Sequence, residues 1–451
     1  MKTLRTLGIA IFGLALWPGV GMAQPWQPLT DHPSFQPDVA VPLTDGYVLG
    51  QDNGPAATPS GSAGNDQQAD AIKDIARRAM KQYHLKSIIV QVTCDGKDVY
   101  TGAMGESMTG VPATPAMHFR NGAMAFTYMS TMLLELVDEK QVKLDAKLSD
   151  FFPQLRDADR ISLKNLANMT SGYADYVYQP EILHGTNLHP FRQWTPEELI
   201  HIGISKPRQF EPGTNWGYSH TNYVILGRVL EQITHMPLAE GMDKYIFDRM
   251  DLRQTQSFHT PQIPEPVLHA FSSERRADLH VPPESRFYEE STFWNPSWTT
   301  AEGAIQTTDI NDMTKSMIEV GEGKVLSRKS WKAQVSPNLI GFGHKDPHCS
   351  ACRQNTEALN YGLGVVNLGP WITQTKNFAG SGASVGYLPS RKLSVAVVTT
   401  YKAAAFDEEG NYKKREFRDL RRHRQCFGPQ HGPSAAETMN GCAGSAIFAL
   451  R

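Results

Sequence analysis

The sequence predicts a mixed α/β (α+β) fold, and three observations carry that prediction. Residues 88–100 hold two β-rich runs, Ile88 to Thr93 and Lys97 to Tyr100, joined by Asp95-Gly96, a strong hairpin signal. A largely apolar run opens at Phe119-Arg120 and continues to Val137, interrupted mainly by small and hydroxyl residues and by Glu135; its length favours a buried helix over a strand. Towards the other end of the chain, Leu393 to Thr399 is again rich in β-branched residues and reads as a strand.

A chain of 451 residues is long enough for one large or two smaller packed units with a substantial core. Its 44 basic and 46 acidic residues leave a formal charge of −2, so charge gives no reason to expect nucleic acid or an anionic membrane as partner. At the N-terminus, Lys2 and Arg5 precede an apolar run from Leu7 to Trp17, and Gly21-Met22-Ala23 offers a small-residue cleavage site. Residues 1–23 therefore read as a secretory signal peptide, too short to span a bilayer comfortably. No later stretch approaches the roughly 20 apolar residues needed to cross, so the expectation is an exported protein, periplasmic or secreted, with no transmembrane segment after signal cleavage.

Export decides how the five cysteines are read. In an oxidising compartment Cys349 and Cys352, and the pair Cys426 and Cys442, point to disulfides rather than to a metal or redox centre, although His344 and His348 stand beside the C-x-x-C and connectivity is not readable from spacing. Cys94, inside a β-rich run, reads as a small buried hydrophobe. No metal site and no cofactor is expected; glycine-rich 378–386 lacks the strand-loop-helix context of a dinucleotide site.

Residues 24–67 are rich in Pro, Gly, Ser, Ala and Asp and predict a flexible linker. A folded domain is expected over 68–425. Within it Ile72, Ile75, Ala76 and Met80 recur at helical spacing between Asp70 and Gln82. The basic stretch Tyr412 to Arg424, with acidic residues interleaved, reads as a solvated helix face, and 426–451 as a C-terminal tail.

Several short motifs follow one another in a fixed order. They are Phe119 to Thr127; Val142 to Leu148 with Phe151-Phe152-Pro153; Ile161 to Tyr173; Phe210 to His220 followed by the apolar run Tyr223 to Leu230; Ala301 to Ile305 with Thr308-Asp309; Tyr361 to Gly364; and Gly386-Tyr387. Over roughly residues 70–400 this order resembles the serine β-lactamase-like family, which includes class C β-lactamases, penicillin-binding-protein-like D-alanyl-D-alanine carboxypeptidases and related esterases. The resemblance implies an antiparallel sheet flanked by helices and built from both ends of the chain, near 87–104 and 360–400. It also implies a mostly helical lobe over about 125–310, with the site in the cleft between them.

The family's nucleophile and its lysine form an S-x-x-K turn at the start of a helix. By the resemblance those positions are Ala123 and Phe126, the family tyrosine is Tyr218, and the lysine or histidine of the third element falls on Gly380. Met169 stands where a histidine is usual. A methyl cannot attack a carbonyl and a phenyl ring cannot take a proton. Loss of a nucleophile costs on the order of 10⁶ in turnover where the parts act as a unit, while an oxyanion hole alone leaves roughly 10³ over water. Backbone donors at Ala123 and Ala383 are expected to remain.

The expectation is thus a catalytically degenerate relative whose former cleft, lined by Tyr218, Ser219, His220, Ser381, Gly382 and Ala383, binds a peptidoglycan-derived fragment, a peptide or a protein partner. The alternative is an active serine-hydrolase-type enzyme, esterase, peptidase or β-lactamase, with a non-family nucleophile. Ser219 and His220 are candidates for nucleophile and base, but adjacent loop residues usually point apart, and His220 reads rather as a hydrogen-bonding substitute for the family's asparagine. Asp175 and Tyr176 are further candidates to line the same cleft.

Overall fold

Eight antiparallel strands form the main sheet, and their order explains why the two ends of the chain meet. The computed structural model describes residues 63–413 apart from Pro337. The signal peptide, most of the linker, the tail and the pair Cys426 and Cys442 lie outside the described residues. The strands of the main sheet are β1 (Leu85–Cys94), β2 (Lys97–Met108), β3 (Val111–Pro112), β4 (Asn360–Tyr361), β5 (Val366–Leu368), β6 (Trp371–Phe378), β7 (Ser381–Leu388) and β8 (Leu393–Tyr401). They run in the order β3-β2-β1-β8-β7-β6-β5-β4, so the first hairpin pairs with the last strand.

The Asp95-Gly96 turn is where the sequence puts it, with both residues at positive φ (48° and 74°), the conformation a two-residue hairpin needs and glycine tolerates. β1 pairs Val90 with Gly102 on one side and with Val397 on the other. It is buried on both faces because helices cover both. Ile72, Ile75 and Ala76 of α1 (Ala63–Gln82) pack with Leu85, Ile88, Val90 and Val92 on one face, and Ile89 joins the larger core on the other. Helix α1 starts at Ala63, before the expected Asp70, so the last residues assigned to the linker are helical.

On the larger core's side lie α2 (Met124–Asp138), α3 (Thr221–Thr234) and α4 (Ile310–Glu322). α2 is buried continuously from Met124 to Leu136, the expected character of a largely apolar helix at the centre of a fold. Between α2 and α4 the named elements up to Phe247 are helices separated by loops; short strands follow, including Gln256–Ser257 and Gln306–Thr308, which join Phe119–Arg120 in a small sheet. Cys349 and Cys352 form a disulfide. Cys94 is also disulfide-bonded and not the free apolar thiol its strand context suggests. No helix among the described residues is long and apolar enough to cross a membrane.

α2 also carries Glu135, buried beside Arg249 at 2.9 Å. Burial pushes its carboxyl up to about 8; Arg249 opposes the shift, and Glu139 and Asp138 add to it. The native state thus keeps a proton that the unfolded chain, near the ordinary 4.5, releases, and stability falls as pH rises from that value through about 8. Glu135→Gln is expected to flatten this dependence and to raise the urea midpoint above the parent's in alkaline buffer; a midpoint series across pH measures it.

Candidate functional site

The site is built where the start of α2 meets β6. Gly122 adopts φ +61°, and a Cβ there would lie 2.6 Å from Lys376 Cβ, so only glycine lets the strand pass this close. Ala123 follows as the N-cap, with no side-chain cap, and its N–H donates to Thr375 O at 3.3 Å. A methyl therefore stands at the head of the helix, and the amide expected as an oxyanion donor is bonded to β6.

One turn on, Phe126 is 2% exposed. Its ring stacks on Tyr223 with centroids 4.0 Å apart and planes at 13°, and approaches His220 at 5.5 Å and Tyr218 at 5.9 Å. Tyr223 is fixed by hydrogen bonds with Ser130 Oγ and Ala167 O, both 2.8 Å. An apolar cluster thus fills the ground beside Tyr218.

Tyr218 is presented by a loop that the disulfide backs. Gly217 pairs with Cys352, and a Cβ on it would lie 3.2 and 3.3 Å from the two sulfurs. Trp216 is buried under the Arg353 guanidinium, 4.4 Å above the ring. Asn215 Oδ1 accepts from His344 N at 2.8 Å. The cysteines and His344 therefore shape this loop, and no group of three or more His, Cys, Asp or Glu is placed to hold a metal ion among the described residues. The Tyr218 ring meets His220 at 5.3 Å and Tyr361 at 6.1 Å, edge to face, and no hydrogen bond reaches its hydroxyl among the described residues. Burial, with the Asp175 charge next in size, holds the phenol far above its ordinary value, so it stays neutral.

His220 and Asp175, 45 positions apart, come together. His220 Nδ1 lies 3.0 Å from Asp175 Oδ2, and the same carboxylate accepts from the His220 and Val177 amides. Asp175 is 2% exposed while the His220 side chain keeps 22%. Ser219 does not join them: its hydroxyl is buried without a partner, and its N–H donates to Met169 Sδ at 3.4 Å. Successive residues entering α3 point apart, which separates Ser219 from His220. Met169 also accepts from Asn222 Nδ2 at 3.3 Å, so its thioether serves as an acceptor.

The third element is corrected by the structure. Gly380 lies in the turn between β6 and β7 at φ +84°, its N–H bonded to the Tyr412 hydroxyl, with Phe271 O where a Cβ would go. Ser381, Gly382 and Ala383 belong to β7, which is paired on both sides, Ala383 opposite Lys376 and Val398; its amide is part of the sheet and not a free donor. The strand residues facing the start of α2 are Gln374, Thr375 and Lys376. Gln374 Nε2 donates to Gly364 O at 2.6 Å, the oxygen that also accepts from Thr127 Oγ1 at 2.7 Å. The overlooked signal is the run Trp371 to Phe378, in which Gln374 and Lys376 share a face of an otherwise apolar alternation.

The family model for beta-lactamase matches residues 72–418. The chain belongs to that family. Among curated relatives it is 22% identical over 197 residues to a beta-lactamase of Providencia stuartii, covering 43% of this chain and 48% of that one. It is 26% identical over 195 residues to penicillin-binding protein 4 of Amycolatopsis lactamdurans, covering 42% and 47%. The chain thus matches about half the length of these relatives. Among solved structures, D-amino acid amidase from Ochrobactrum anthropi SV3 superposes with a TM-score of 0.63 at 19% identity, covering 80% of this chain and 98% of that one, which establishes the shared fold.

Within this beta-lactamase-family fold, Phe126 is buried and stacked on Tyr223. Phe126→Ala is expected to cost about 3–5 kcal/mol, the range for truncating a buried phenylalanine. Guanidinium unfolding measures the loss, and a change below about 1 kcal/mol would show that the stack on Tyr223 is not a packing element.

Proposed function

We propose that the protein is an exported, catalytically degenerate member of the beta-lactamase family that binds a cell-wall-derived fragment, a peptide or a protein partner in its former cleft. The observation that carries the reading is Ala123: a methyl heads α2, and its amide is bonded to Thr375 O. Phe126, in the place the resemblance gives to a lysine, supports it. A buried ammonium beside a hydroxyl carries a desolvation cost that only chemistry justifies, and an apolar ring removes that cost. Tyr218, Ser219 and His220 remain around the cleft, with Tyr218 a neutral phenol able to donate a hydrogen bond. Relatives named penicillin-binding protein and putative D-alanyl-D-alanine carboxypeptidase favour a cell-wall ligand, and the Cys349–Cys352 disulfide favours export.

A second reading, a hydrolase with a non-family nucleophile, draws on one observation. A histidine oriented by a buried carboxylate is the arrangement of a general base, and His220 with Asp175 has it. A fluorescent penicillin and a fluorophosphonate probe separate the two readings. The expected result is no covalent labelling of the native protein, and labelling gained in Ala123→Ser, Phe126→Lys. Labelling of the native protein that His220→Ala abolishes would overturn the first reading in favour of the second.

A further inference from the structure

Exposed large apolar side chains are concentrated in one region of the domain. Nine are exposed among the described residues, and six of them, Tyr178, Leu183, Leu188, Phe191, Leu279 and Phe293, come from three segments that are bonded to one another. The first segment is the short helix Pro180–Leu188 with its flanking residues. His184 Nδ1 lies 2.7 Å from Asp278 Oδ1, and Asn187 Nδ2 donates to Asp278 Oδ2, which sets Leu279 beside that helix. Arg275 Nε donates to Asn187 O while its guanidinium lies 5.5 Å from the Trp294 ring centre, which brings in Phe293. The Asn295 amide donates to Pro190 O at 2.7 Å, next to Phe191.

Charges set among these side chains are matched in pairs within the chain. Glu181 pairs with Lys206 at 2.6 Å, Arg192 with Glu198 at 2.9 Å and Arg275 with Glu289 at 2.9 Å, while Asp278 is held by His184 and Asn187. The apolar groups have no such partners: Phe191 is 69% exposed and Tyr178 62%. Phe191 is also held in place, because Pro190 before it is bonded to Asn295 and the Arg192 amide after it donates to His189 O at 3.0 Å. Together the six side chains expose on the order of 500 Å², at the upper end of the largest apolar patch on a typical monomer, where such patches are often functional.

We propose that this face is the contact of a two-fold homodimer, in which a second copy of the chain covers it with the same six side chains. A two-fold contact sets a surface against itself, so the surface must be self-complementary. An apolar face whose charges are already paired within the chain meets that condition, since it brings no uncompensated like charges opposite one another. The area agrees: each partner of a standard interface buries about 800 Å², of which about 65% is apolar in homodimers, or about 500 Å². Tyr178, Phe191 and Phe293 supply the aromatic anchors enriched in such contacts. A formal charge of −2 and the pairing of Arg192, Lys206 and Arg275 leave no surplus of basic groups here to draw the face to an anionic membrane. The face borders the Tyr176–Tyr178 turn, whose Tyr176 ring lies 6.1 Å from that of His220, but it shares no residue with Tyr218, Ser219 or His220 and does not depend on how their cleft is read.

Sedimentation velocity of the full chain tests this. Monomer is expected to give way to dimer between about 1 and about 100 μM, the weak end of what an interface of this size reaches. Phe191→Asp should raise the dissociation constant about thirtyfold or more, as loss of an interface anchor does. Its melting temperature at a concentration where the parent is monomeric should match the parent's, because the replaced ring is mostly exposed. Leu188→Asp, on the neighbouring turn, should weaken association in the same direction and serves if the first variant misfolds. Met108→Asp, an exposed apolar residue outside the face, should leave association unchanged. A chain that stays monomeric throughout, a dimer kept in both Phe191→Asp and Leu188→Asp, or one lost equally in Met108→Asp sinks the proposal. So does a monomer that instead binds phosphatidylglycerol or phosphatidylcholine vesicles through Phe191, which would make the face a lipid contact.

Discussion

The seam between the head of α2 and β6 is the contact on which the rest of the site depends. Gly122 in a left-handed conformation lets Lys376 lie against it, and Ala123 N–H donates across to Thr375 O. A few residues on, Thr127 of α2 and Gln374 of β6 donate to the same Gly364 oxygen. Gly364 itself admits no Cβ, which would lie 2.3 Å from Phe126 O. Helix, strand and the Gly364 loop are thereby held in one arrangement, and every side chain around Tyr218 is positioned relative to it.

Around that seam polar and apolar groups are sharply sorted. On one side Phe126, Tyr223, Tyr218, His220 and Tyr361 make a contiguous aromatic cluster. Aromatic pairs in such stacked and edge-to-face geometries contribute roughly 0.5–1.5 kcal/mol each beyond the area they bury. Buried charge borders this cluster at His220, whose ring and amide are bonded to Asp175, while Arg120 and Lys376 lie past Gly122.

The Cys349–Cys352 disulfide belongs to the same construction. Its sulfurs press on Gly217, and the neighbouring Arg353 covers Trp216, so the loop presenting Tyr218 is supported from behind by residues more than a hundred positions later in the chain. A short covalent loop of this kind acts mainly by holding local geometry, since closing so few residues removes little entropy from the unfolded chain.

How much of this was legible in the chain follows from the range of each interaction. The hairpin at Asp95-Gly96, the buried helix after Ala123 and the placing of Tyr218 before a helix are written in local spacing and turn chemistry, and the ordered motifs carried the family and its antiparallel sheet. Gly380 was misplaced because a strand's register against a helix is fixed by packing, and counting back from Gly386-Tyr387 cannot tell a turn between two strands from the strand that touches α2. The pairing of His220 with Asp175, the bonding of the Ala123 amide and the burial of Arg120 beside Lys376 join segments far apart in sequence. No local periodicity encodes such meetings; the folded chain alone decides which donors find acceptors and which charges are left facing one another.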